Sequence, residues 1–112
     1  MHLTEEQSDY LRILGHSLKP TVDVGAGGLT DSLIKEVDRA LADHELVKVR
    51  VRFGNRERRG RVFEELAPLA QALLVKPDGY VALLYRPSEH GKVRLPAAAE
   101  SGADPDAIGA GL

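Results

Sequence analysis

Between positions 48 and 61 the chain carries seven basic side chains, Lys48, Arg50, Arg52, Arg56, Arg58, Arg59 and Arg61, against one acid, Glu57. Upstream, Gly25-Ala26-Gly27-Gly28 runs directly into Leu29-Thr30-Asp31, a sequence suited to capping a helix. The first pattern makes a local positive field that attracts polyanions. The second removes side chains where a helix start points unpaired N–H groups outward, which suits a phosphate lying against the backbone. Neither pattern supplies a nucleophile or an acid–base pair. The chain has no cysteine, so a disulfide framework, a thiolate metal site and a cysteine nucleophile are excluded, and a reducing compartment is compatible. His2, His16, His44 and His90 are scattered without metal-ligand spacing. His44 falls at a helix end, where a cation faces the negative pole of the helix dipole, and a capping role is the expectation there. Charge alone leaves two readings of the basic run open, a polyanion-binding surface and an ordinary solvated face, and no metal or cofactor is expected.

The net charge of -2 hides how unevenly charge is distributed over the 112 residues. Residues 1–43 hold four basic and eight acidic side chains, residues 44–96 eleven and six, and residues 97–112 none and three. The cations are therefore concentrated in the middle of the chain. No run of 18 apolar residues and no signal-peptide pattern occurs, so neither a membrane span nor export is expected, and a cytoplasmic location is.

The elements that must position these residues follow from spacing. Thr4 stands three residues before Gln7, a capping-box pattern, and Tyr10, Leu11, Leu14 and Leu18 recur at helical spacing, predicting a first helix over about residues 4–16. Val22 and Val24 share one face of a short strand. Thr30 then caps a helix with Leu33, Ile34, Val37, Ala40 and Leu41 as its inner stripe, Leu29 placed to staple Ile34, and an end near His44. In "LVKVRVRF", Val47, Val49, Val51 and Phe53 alternate with Lys48, Arg50 and Arg52, the signature of a half-buried strand. A third helix starts near Asn55 with Val62, Phe63 and Leu66 inside, and Pro68 should kink or end it. Pro77-Asp78-Gly79 separates two apolar runs and predicts a hairpin turn there. The second arm, residues 80–85, is apolar on both faces and reads as an interior strand. From residue 97 onward the chain is small and acidic, with the composition of a disordered tail.

The order is α-β-α-β-α-β-β, an α/β fold in one domain over residues 1–96, with a four-stranded mixed sheet. The glycine cluster falls at the end of the first strand, where open α/β sheets bind ligands. Gly25-Ala26-Gly27 also begins like a dinucleotide fingerprint. The third glycine would be needed where Thr30 stands, and the second strand ends in "RVRF" where an acid for the ribose would be expected.

Four ordered segments carry a family resemblance: "LKP" at 18–20, the GxxG loop at 25–28 leading into Leu29-Thr30, "HELVKV" at 44–49, and "LYRP" at 84–87. Over about residues 3–96 the chain resembles the CRM domain, the chloroplast RNA splicing and ribosome maturation family, in its stand-alone bacterial YhbY form. The resemblance implies a fold similar to the C-terminal domain of bacterial translation initiation factor three. It also implies RNA binding without catalysis, with RNA of large-ribosomal-subunit precursors as partner and a monomeric protein. Lys19 and Arg86 match family positions as cations that would be brought near the loop.

The GxxG chemistry is a physical one: glycines let the chain approach a sugar-phosphate backbone without Cβ obstruction, while the following helix start faces the phosphates. The candidate RNA-binding set is Lys19, Gly25, Ala26, Gly27, Gly28, Lys48, Arg50, Arg52 and Arg86, with Arg56, Arg58, Arg59 and Arg61 as a second basic group. The loop itself carries no lysine, and Asp23 and Asp31 flank it, so affinity should lean on the surrounding cations. The row Lys48, Arg50, Arg52 serves only if no helix covers its face. Tyr10, Phe53, Phe63, Tyr80 and Tyr85 fall mostly on apolar stripes, which predicts a core role for them and a structured RNA held by its backbone. A protein-interaction module without RNA is the alternative from another class.

Overall fold

Among the described residues, each of the three helices begins at a side chain that accepts a backbone N–H. Thr4 Oγ1 accepts from Gln7 N at 3.0 Å while Gln7 Oε1 accepts from Thr4 N at 3.0 Å, completing the capping box of α1 (Glu5–Gly15). Thr30 Oγ1 accepts from Leu33 N at 3.1 Å to start α2 (Asp31–His44), and Asn55 Oδ1 accepts from Arg58 N at 2.9 Å to start α3 (Arg56–Leu69). Pro68 lies inside the last turn of α3, and the helix ends at Leu69, where Gln71 at φ +53° turns the chain and Gln71 N and Ala72 N donate to Pro68 O at 3.1 Å and Ala67 O at 2.9 Å. The computed structural model describes residues 2–88, 91, 93, 95 and 96, and the tail expected from residue 97 lies outside the described residues.

The four strands β1 (Val22–Val24), β2 (Leu46–Val51), β3 (Leu73–Asp78) and β4 (Val81–Tyr85) form one sheet in the order β1-β2-β4-β3. Because α2 carries the chain back across the sheet, β1 pairs parallel to β2, whereas β4 pairs antiparallel to both β2 and β3. The mixed α/β sheet and the interior position of β4 are as the sequence predicts. Period-two alternation then separates two cores. On one face Val22, Val24, Val47, Val49, Val51, Ala82 and Leu84 pack with Leu33, Val37 and Leu41 of α2 and with Phe63, Leu66 and Ala67 of α3. Full burial of each large apolar side chain contributes about 1.5–3 kcal/mol, which makes this face the larger store of stability.

On the other face Leu46, Val75, Leu83 and Tyr85 close around Leu11 of α1, with Val93 and Leu95 packed against the cluster. Gln7 Nε2 also donates to Pro96 O at 3.0 Å, so the described chain is tied down as far as residue 96. At the end of α1, Gly15 permits a close approach: a Cβ there would stand 2.5 Å from Leu83 Cδ1. α1 stops at this point. Beyond it, the same sheet face presents Lys48, Arg50 and Arg52, of which Arg52 is exposed and the other two half-buried.

The hairpin differs from its sequence expectation. β3 continues through Pro77 to Asp78, and the turn is Gly79-Tyr80, with Gly79 at φ +65°. Pro77 is tolerated in the strand because β3 is an edge strand and its register against β4 shifts between Val75 and Asp78. This moves Tyr80 off the strand and onto the tip of the turn, where it is 57% exposed. The core role expected of the aromatics holds for Phe63 and Tyr85, is met in part by the half-buried Phe53, and fails for Tyr80 and for Tyr10.

Candidate nucleic-acid interface

Parallel pairing of β1 with β2 and antiparallel pairing with β4 bring three chain segments to one end of the sheet. The loop 25–28 leaves β1 there, Arg52-Phe53-Gly54 leaves β2, and Gly79-Tyr80 turns into β4. The junctions are fixed by backbone bonds: Arg52 N donates to Val24 O at 3.4 Å and Val51 N to Tyr80 O at 2.8 Å. Both α2 and α3 start at this end.

The glycine loop is a tight turn in which Gly28 N donates to Gly25 O at 2.9 Å, followed by Thr30 N donating to Gly28 O at 3.1 Å. Gly28 has φ +76°, a conformation that L side chains resist. Gly25 and Gly27 carry no such requirement. A Cβ on Gly25 would meet nothing within 4 Å, and one on Gly27 would meet only Thr30 Cγ2 at 4.0 Å. Residues 25, 26 and 27 are all exposed. The side chains are missing where neither backbone conformation nor internal packing excludes them. The Thr30 that would have to be glycine in a dinucleotide fingerprint is instead used as the α2 cap.

The basic row runs along β2 toward this loop, at about 7 Å between successive same-face residues. Its inner end is Lys48, whose Nζ donates to Leu18 O at 3.1 Å. Thr21 N donates to Lys48 O at 2.9 Å, so the exposed Lys19 enters the sheet beside Lys48, at the opposite end of β1 from the glycine loop. In the middle, Arg50 holds Asp23 in a bidentate pair, Nε to Oδ1 at 2.7 Å and Nη2 to Oδ2 at 3.3 Å. Arg52 Nε stands 3.5 Å from the same Oδ1. The Arg50 hydrogen bond holds the Asp23 carboxyl below its ordinary range, opposed by desolvation and assisted by the charges of Arg50 and Arg52. The same bond raises the Arg50 guanidinium. Asp23 thus acts as a counter-ion built into the row. Sequence spacing could not show this, because the pairing depends on the parallel register Asp23↔Arg50 across 27 positions.

The second basic group is partly spent on the loop end itself. Arg59 Nη1 donates to Gly54 O at 2.6 Å and Nε to Gly79 O at 3.3 Å, with its Cζ 4.1 Å from the Tyr80 ring centroid. Arg58 Cζ lies 5.5 Å from the Phe53 ring. Arg56 and Arg61 are exposed on α3.

Arg86 is elsewhere. It follows β4, whose last pair is Leu46↔Tyr85, so it lies at the opposite end of the sheet from the glycine loop. Its Nη1 donates to Asp38 Oδ1 at 2.8 Å and Ala70 O at 2.9 Å, and Nη2 donates to Asp38 O at 2.9 Å. The structure therefore brings together the loop, Arg52 and the start of α3. It sets Lys19 with Lys48 further along the row and keeps Arg86 apart. Two residues of the loop end were not among the sequence candidates: Asp23 as counter-ion, and Tyr80, whose exposure follows from the two-residue turn.

Comparison with known proteins converges on one family. The family model described as the CRS1 / YhbY (CRM) domain matches residues 3–86. A Haemophilus influenzae protein named as an RNA-binding protein is 37% identical over 94 residues, spanning 84% of this chain and 95% of its own length. A Pseudomonas aeruginosa protein, named as a probable RNA-binding protein, is 41% identical over 86 residues, 77% of this chain and 83% of its own. The solution structure of a Staphylococcus aureus protein superposes with a TM-score of 0.75 at 34% identity, covering 85% of this chain and all of that one.

Proposed function

Because the chain belongs to the CRS1 / YhbY (CRM) domain family, we propose that it binds structured RNA by the sugar-phosphate backbone at the loop 25–28, with the row from Lys48 to Arg52 and the start of α3 supplying cations. The observation that carries this reading is the loop's glycine pattern: Gly25 and Gly27 lack side chains where the protein itself has no need of their absence. A surface that must admit another backbone has that need. The names of the Haemophilus and Pseudomonas relatives support RNA as the partner class. Lys19 extends the row at its inner end, whereas Arg86 serves the interface by holding the domain together. The finer reading is an assembly factor on RNA of large-subunit precursors, acting as a monomer in the cytoplasm without catalysis.

Two substitutions at the exposed loop test the contact. A charge within about 5 Å of a phosphate changes affinity by about fivefold or more, so Ala26→Lys should tighten binding of a ribosomal RNA fragment and Ala26→Asp should weaken it. Gly25→Ala adds only a methyl group into open space, so it should weaken RNA binding while leaving the melting temperature unchanged. Equal affinities for all forms at low salt would remove the loop from the interface. Sucrose-gradient fractionation of lysate tests the finer reading, with the protein expected in the large-subunit precursor peak.

A further inference from the structure

We infer that Tyr80, backed by Arg59, is a stacking site for one unpaired RNA base beside the glycine loop. Resting on the RNA-binding reading above, the inference adds a second recognition chemistry to the backbone contact.

Three observations carry it. Tyr80 is a large aromatic side chain, 57% exposed, at the tip of a two-residue turn, a position where an exposed ring contributes little to the fold. Arg59 lies over that ring with Cζ 4.1 Å from the centroid, and Gly54 O and Gly79 O hold its Nη1 and Nε there. A cation fixed on one side of the ring by two separate loops leaves the platform oriented before any ligand arrives, and a flat partner gains from stacking and from the nearby charge. The third observation is place. Tyr80 O accepts from Val51 N, and Val24 O accepts from Arg52 N, so Tyr80 stands two strand spacings, about 10 Å, from the last residue before the glycine loop. A single strand whose phosphates lie on the loop passes within reach of the ring. Phe53, half-buried against the core with Arg58 Cζ 5.5 Å from its ring, belongs to the segment that leaves β2, the strand between β1 and β4. A ring that only closed the turn would have no reason to be paired with a pinned guanidinium at the ligand end of the sheet.

The chain contains no tryptophan, so Tyr80→Trp introduces a unique fluorophore at this point. The probes are a short RNA duplex with an adenosine bulge, the same duplex without it, and the bulged duplex with an abasic site in place of the adenosine. The parent should bind the bulged RNA more tightly than the other two. Tyr80→Ala should lose about tenfold on the bulged RNA alone, the scale of one base stacked on an aromatic ring. Tyr80→Leu, which keeps bulk without a π face, should behave like Tyr80→Ala, and Tyr80→Phe like the parent. Emission of the Tyr80→Trp form should be quenched by the bulged RNA and not by the abasic one. Unchanged affinity of Tyr80→Ala and Tyr80→Leu for the bulged RNA overturns the inference, as does an equal loss on all three probes. If the parent binds none of the probes or a ribosomal RNA fragment, the RNA-binding reading falls, and the stacking site with it.

Discussion

The two ends of the sheet spend their polar groups in opposite directions. At the loop end, Arg52 keeps 61% of its side chain exposed, glycines replace side chains, and a tyrosine stands out from a turn. At the far end, Arg86 is 21% exposed and ties α2, the residue after α3 and β4 together through Asp38 and Ala70. Beside it Glu45 is fully buried at φ +66°, its carboxylate accepting from the Ser88 hydroxyl and from Val93 N at 3.1 Å, while its carbonyl accepts from Arg86 N at 2.9 Å. Burial, assisted by the Glu45 charge, pushes the neighbouring Tyr85 phenol up, so that ring stays neutral. Arginine on adjacent strands of one sheet therefore does two different jobs. What separates them is their partners: Arg52 stands 3.5 Å from one Asp23 oxygen, whereas Arg86 meets the Asp38 carboxylate and two backbone carbonyls, one within α2 and one at the residue that caps α3.

The largest effect expected from this contrast is on stability at Arg86. Hydrogen bonds made by a charged group contribute about 1.5–3 kcal/mol, and losing them also strands Ala70 O at the end of α3, so Arg86→Met should cost about 2–3 kcal/mol. In a domain of this size that lowers the melting temperature by roughly 10 °C or more. RNA affinity measured well below the transition should stay at the parent's value. Arg52→Met should give the mirror result, an unchanged melt and weaker binding. Should Arg86→Met lose RNA affinity at full folding, the two ends would not be divided as described.

That division was only half legible in the sequence. Capping at Thr4 and Thr30, the start of α3 near Asn55, the alternation of β2 and the stripe of α2 are local patterns whose meaning depends on residues a few positions away, and each is found where spacing put it. Arg86 meets Asp38 across 48 positions and Ala70 across 16, so its role needs three elements already in place. Glu45 is the sharper case. A glutamate between a helix and a strand reads as surface, and its burial is decided by residues 88 and 93 returning over it. The loop's glycines were legible as a cluster, yet only the structure separates Gly28, needed for its backbone angle, from Gly25 and Gly27, which are not. Tyr80 was misplaced by taking Pro77-Asp78-Gly79 as the whole turn, an error of one residue that moves a ring from strand to tip.

A smaller effect is expected along the basic row, where the contrast can be sharpened by salt. With about four phosphates contacted, log affinity should fall against log salt with a slope of roughly -3. Replacing Lys48, Arg50 and Arg52 together by Gln should flatten that slope by up to about 2, since each lost phosphate contact removes about 0.7. The apolar residues between them remain, so the fold should persist. An unchanged slope would take the row out of the interface and leave the loop and α3 as the whole contact.

The smallest effect isolates the counter-ion. Asp23 neutralises part of the row by holding Arg50 and standing near Arg52, and both partners are accessible to water. Asp23→Asn keeps the size of the side chain and removes its charge, so Arg50 and Arg52 become available to phosphate. Binding should tighten by a few-fold at low salt, with a steeper salt slope and a barely altered melt, because exposed ion pairs contribute little to stability. The sign with pH follows from the direction of the shift. Asp23 is held below its ordinary value of 3.8, so whatever the pair adds to folding is present above that value and is lost as pH falls through the lower folded one. Between about pH 5 and 8 the carboxylate stays ionised, and the affinity ratio of Asp23→Asn to parent should be constant. A ratio that drifts across that window would mean that another titrating group governs the row. A ratio of one would mean that Arg50 and Arg52 reach phosphate without leaving Asp23, so that the carboxylate orients the two guanidinium groups instead of competing for them.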